Sequence, residues 1–141
     1  MSTRSNILSA LRNDFGTVQG IKESWKYVPQ LETISETKFP FHYIGFGTAV
    51  NKPLGDMQDN WEVPVLCVVF FSIKTDPNNS GKVETEAERM ISLYQEVVFS
   101  NTSAIDAVVS LDLITITPYI NTGIENKGFL LLEYKLNYIG V

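Results

Sequence analysis

Seven consecutive apolar residues, Val65-Leu66-Cys67-Val68-Val69-Phe70-Phe71, sit inside the segment Trp61 to Lys74 and constrain the fold more than any other feature. A strand with one wet face alternates apolar and polar residues, so an unbroken run of this kind predicts a central strand covered from both sides. The wider apolar stretch, Val63 to Phe71, contains Pro64 and has about half the roughly 20 residues that a membrane-spanning helix needs. The core is therefore expected to be built around this strand.

Two segments follow a helical period. From Ser5, the residues Ile7, Leu8, Leu11 and Phe15 fall on one stripe of a helix, with Ser5 as the expected N-cap and Gly16 as a left-handed stop. Between Val83 and Phe99, apolar Ala87, Met90, Ile91, Tyr94, Val97 and Val98 recur at three- and four-residue steps. Glu84, Glu86, Glu88, Arg89 and Glu96 take the other face, and the acids crowd the end where the helix dipole favours them. A polar break is expected at Ser100 to Ser103, followed by a short helical turn from Ala104 to Val109.

The remaining segments read as strands. Ile21 to Val28 is a strand ended by Pro29, and Phe39 to Val50, broken by Pro40, Gly45 and Gly47, reads as an edge or bulged strand. Ser110 to Ile120 is crowded with β-branched residues and should end at Pro118. From Gly128 onward, Leu130, Leu132, Tyr134, Leu136 and Tyr138 alternate with Glu133, Lys135 and Asn137, the period of a half-exposed strand. Asn121 to Lys127 is the hairpin loop between these last two strands. Short connections exclude parallel crossovers for most of the sheet. The expectation is a single α+β domain over residues 1–141, with a mostly antiparallel sheet flanked by two main helices on one or both faces.

Composition narrows the function. A net charge of −5 disfavours a nucleic acid or an anionic membrane as partner, because both reward clustered Lys and Arg. One cysteine and one histidine leave no set from which a zinc site could be built. The first twenty residues lack the apolar core of a secretory leader, which predicts a soluble protein made in the cytoplasm. His42 sits in a strand-like context and reads as a surface or packed histidine, and Cys67 reads as a buried structural thiol. Gly45-Phe46-Gly47 lacks the surroundings of a phosphate loop and reads as a bulge or bend. Asp56, Asp59 and Glu62 lack the spacing of a calcium loop. Neither a catalytic group, a cofactor nor a metal is expected.

Interaction surfaces are the stronger signal. The acidic helix face is a solvated or partner-facing surface, and Phe129, Leu131 and Ile139 interrupt the polar face of the last strand. A helix or a neighbouring subunit is expected to cover them.

The order of elements resembles the tail terminator proteins of tailed bacteriophages. The resemblance rests on the N-terminal helix, the sheet, the helix from Glu86-Ala87-Glu88-Arg89 to Val97, and the closing pattern Ser110-Leu111-Asp112-Leu113-Ile114 to Pro118, loop, Gly128-Phe129-Leu130-Leu131-Leu132-Glu133-Tyr134-Lys135-Leu136. It implies a non-enzymatic virion protein at the tail-neck junction. Subunits would form a hexameric ring on the tail tube protein, end elongation and offer a docking surface to a head-completion or connector protein. The segment Pro53 to Glu62 departs from the family pattern. Loops Asn51 to Asn60 and Asp76 to Gly81 are natural contact elements in a head-to-tail ring, which nominates Asp56, Asp59, Trp61, Asn78, Asn79, Glu84 and Glu88. Another neck or tail-tube subunit is the nearest alternative. A small-molecule module with a pocket lined by Trp25, Tyr43 and Phe46 is a more distant one.

Overall fold

The first helix, α1 (Thr3–Phe15), starts where Ser2 Oγ accepts the amide N–H of Ser5 at 3.1 Å. The N-cap is thus Ser2, three residues before the expected Ser5, because Ser2 already offers the hydroxyl that an unpaired first-turn amide requires. Gly16 closes the helix by donating to Arg12 O at 2.9 Å, but with a right-handed φ of −65° rather than the expected left-handed one. The computed structural model describes residues 2–25, 38–53, 58–72, 82–119 and 127–140.

Six strands form one mixed, mostly antiparallel sheet: β1 (Glu23–Trp25), β2 (Phe41–Phe46), β3 (Val50–Asn51), β4 (Asn60–Ser72), β5 (Val108–Tyr119) and β6 (Lys127–Ile139). Their order is β1-β2-β4-β6-β5, with β3 continuing the β2 side of β4. Among the described residues, only β1 and β2 run parallel. β2 is paired on both sides, so the expected edge strand is an inner one and β1 takes the edge instead. Gly45 and Gly47 suggested otherwise, yet Gly45 keeps its register opposite Leu66.

The apolar run is the central strand. β4 pairs with β2 on one side and with β6 along its whole length on the other. Its coverage is not symmetric. Val63, Val65, Cys67 and Val69 are fully buried; on the opposite face Phe70 is buried in a second cluster with Phe39 and Phe41, whereas Leu66 and Val68 are half-buried. The continuous run therefore signals a central position, and among the described residues the helices lie over one face. That face receives Ile7, Leu11 and Phe15 of α1, Met90 and Tyr94 of α2 (Lys82–Gln95), and Leu130, Leu132, Tyr134, Leu136 and Tyr138 of β6. The alternation expected in β6 is present at every position from Lys127 to Ile139.

α2 stops before the expected Phe99, because Phe99 turns inward to meet Phe15 and Tyr134 edge-on at 5.2 and 5.6 Å. Such contacts favour edge-to-face geometry and reward breaking the helix to make them. The expected polar break is itself a helical turn, α3 (Ser100–Ser103), whereas 104–107 form a bend and β5 begins at Val108. Ser-Asn-Thr-Ser has no apolar period, so nothing local marks it as helical. β5 also runs through Pro118, which a strand at the edge tolerates because its outer amides need no partner. The hairpin connection 121–126 and the end of the expected Ile21 to Val28 strand lie outside the described residues.

Gly128 is required by packing. A Cβ there would lie 2.7 Å from Phe71 Cζ, and the Phe71 ring is fully buried. Gly128→Ala is expected to destabilise by about 1–3 kcal/mol, the usual range for overpacking a closed core, read from the urea midpoint. An unchanged midpoint would show that Phe71 has room to move.

Candidate functional site

The interior face holds a small polar group among its apolar residues. His42 on β2 is fully buried, and its Nδ1 lies 2.6 Å from the Tyr94 hydroxyl of α2. Nε2 has no hydrogen-bond partner. Burial pushes the His42 imidazole down to about 4, and it raises the Cys67 thiol and the Tyr94 and Tyr134 hydroxyls above their ordinary values. All four are neutral at neutral pH. His42 and Cys67 are thus packed groups, as expected from their sequence contexts. Among the described residues, no three His, Cys, Asp or Glu side chains gather in a way that could hold a metal ion.

A second buried polar group ties helices together. Asp14, at the end of α1, accepts from Asn101 N and Nδ2 at 3.0 and 2.8 Å, and from Thr102 N and Oγ1 at 2.9 and 2.7 Å. It supplies the partners that the opening amides of α3 lack. Periodicity marks Tyr94 as one of the apolar stripe of α2 but not as a partner of His42, and nothing local marks Asp14. An aspartate at the end of a helix has no local partner to advertise a tertiary one.

The surface with most potential for recognition is the sheet face away from the helices. Strand register places three rows of residues on it. Phe41, Phe70 and Phe129 form the first, with ring centroids 4.9 and 5.9 Å apart, and Phe39 joins Phe41 at 5.0 Å; Phe39, Phe41 and Phe70 are buried as a second small core, so the accessible part of this face begins beyond them. Tyr43, Val68 and Leu131 form the second, and Gly45, Leu66 and Glu133 the third. Beyond them lies a cleft of about 250 Å³, walled by Thr48 and Val50 on one side and Ile114 on the other, with Glu62, Pro64, Glu133 and Lys135 lining its floor. Lys52 and Lys135 flank Glu62 at 2.7 and 3.5 Å, and the hydrogen bond from Lys52 holds the Glu62 carboxyl below its ordinary value.

The covering expected over Phe129, Leu131 and Ile139 is not a helix of the described residues: all three are half-buried on the face opposite α1 and α2. Tyr43 and Phe46 lie on opposite faces of β2, and Phe46 packs at the helix side with Arg4 over its ring at 5.1 Å. They do not line one pocket, and the Trp25 side chain is outside the described atoms.

The nominated contact residues divide into two groups. Asp59 is exposed at the start of β4 and accepts from Asn51 Nδ2 at 2.9 Å. Trp61 is half-buried against the interior face, and its indole N–H donates to Gly140 O at 3.1 Å. Glu84 and Glu88 are exposed on the outer side of α2. Asp56, Asn78 and Asn79 lie outside the described residues. No protein-family model matches the chain, and no curated protein matches it either.

Proposed function

We propose that the chain is a structural virion protein of tailed phages whose subunits close into a ring on the end of the tail tube, stop its growth and present a surface for the head side of the neck. The observation that carries this reading is the asymmetry of the sheet. One face is sealed by α1 and α2 around neutral buried groups, whereas the other carries half-buried Tyr43, Leu66, Val68 and Leu131 with no helix of the described residues above them. Surfaces of this kind belong to proteins that work by association. The closing pattern from Ser110 to Leu136, on which the resemblance to tail terminators rests, is the β5–β6 hairpin that frames this open face.

Electron microscopy of the purified protein over a range of concentrations, with and without isolated tail tubes, tests the proposal. Closed rings of uniform diameter, or density confined to tube ends, are expected. Open-ended tubes formed by the protein alone would instead make it a tube subunit. A protein that stays monomeric and ignores tube ends would overturn the structural reading.

A further inference from the structure

We propose that successive subunits join head to tail through the two opposite edges of the sheet, the β5 edge of one copy against the β1–β3 edge of the next. This rests on the ring reading above and names the surfaces that close the ring. The sheet is open: β5 bonds only to β6, and β1 only to β2, so among the described residues each end carries unspent backbone groups. Such edges attract another chain unless something blunts them.

The β5 edge is apolar in an unusual way. Val109, Leu113 and Ile114 are 59, 36 and 54% exposed, and Val109 and Ile114 are the extra residues at the two register shifts of the strand. The bulges prevent a long, indiscriminate ladder and leave the four-residue stretch Ser110–Leu113 between them. A partner edge must therefore be short and must accept projecting aliphatic side chains. The opposite end fits: β1 has three residues, β3 has two, and Val50 is 52% exposed.

Charge distinguishes a second copy from a general hydrophobic partner. Asp106 and Asp112 are exposed at the β5 edge, and the segment 104–119 contains no Lys or Arg. Lys22, Lys38 and Lys52 are exposed at the β1–β3 edge, where Glu23 and Glu62 pair with two of them and Asp59 lies beside Asn51. On a chain of net charge −5, a lysine-bearing edge of balanced charge set opposite an anionic, apolar one suits a neighbouring copy better than two β5 edges suit each other. Two different patches on opposite ends produce a heterologous contact, the kind that closes into rings.

Two charge-reversed proteins test this by native mass spectrometry and light scattering. Asp106→Lys with Asp112→Lys sets lysines on both edges, and Lys22→Asp with Lys52→Asp makes both anionic. Each is expected to weaken self-assembly about tenfold or more at low salt, and a one-to-one mixture is expected to restore it as alternating copies. All four sites are exposed, and unchanged melting temperatures confirm that the fold is retained. Ile114→Ser is expected to weaken assembly with no dependence on salt. Rings that form normally from either reversed protein alone would overturn the edge assignment and leave the ring reading standing. A wild-type protein that remains monomeric at every concentration and also ignores isolated tail tubes would overturn both.

Discussion

Asp14→Ala is expected to destabilise the protein by about 3–5 kcal/mol, because the buried Thr102 amide and hydroxyl lose their acceptor at about 1–3 kcal/mol each, while the exposed Asn101 loses two further bonds that water can replace. The loss is concentrated where α1 meets α3. It should lower the melting temperature by roughly 10 °C for a domain of this length. Asp14→Asn keeps the shape but turns an amide N–H₂ toward donors, so it should recover less than half of the loss. A variant within about 1 kcal/mol of the wild type would show that water or rearrangement replaces these bonds.

Acid is expected to destabilise the fold through His42. Its imidazole titrates near 6.5 when unfolded and at about 4 in the folded protein, because burial penalises the charged form. Between those values the unfolded chain binds the proton and the folded chain does not. The contribution is intact above pH 6.5 and is lost progressively as pH falls toward 4. The total is about 3 kcal/mol, at roughly 1.4 kcal/mol per pH unit. His42→Gln removes the titration. Urea midpoints from pH 7 to 4.5 should fall more steeply for the wild type than for this variant, with the carboxylates common to both. Equal slopes would mean that His42 protonates freely in the folded protein.

Much of the architecture was legible because it depends on short-range pattern. The alternation from Leu130 to Tyr138 is a property of one strand, and the structure buries every one of those residues. The α2 stripe of Ala87, Met90, Ile91 and Tyr94 is likewise a property of one helix, and it faces the core. Where the reading failed, a distant partner had decided the matter. Ser100 to Ser103 is helical because Asp14 caps it from the other end of the chain, and α2 is short because Phe99 is drawn toward Phe15 and Tyr134. β2 lies inside the sheet because β1, a three-residue strand, adds to its outer edge.

The candidate surface was only partly legible. Phe129, Leu131 and Ile139 stood out as apolar residues on a polar face, since period-two alternation assigns a face to each position of a strand. The cleft between Val50 and Ile114 was invisible, for those residues are 64 positions apart and only the pairing of β3, β4, β6 and β5 sets them on one cleft. Trp61 was nominated as a contact because it borders a turn-rich loop, whereas its indole is tied to Gly140 at the other end of the chain.

The helical stripes, the central strand, the alternating last strand and the shortage of histidine and cysteine are all written in the chain itself. These follow from the chain's own periodicity and composition. Packing between distant segments decides that α1 and α2 share one face, that Phe39, Phe41 and Phe70 form a second small core on the other, and that apolar β5 stands at an edge opposite three lysines. Burial is settled by which elements pack together, and a one-dimensional pattern records that a face is apolar without recording what covers it.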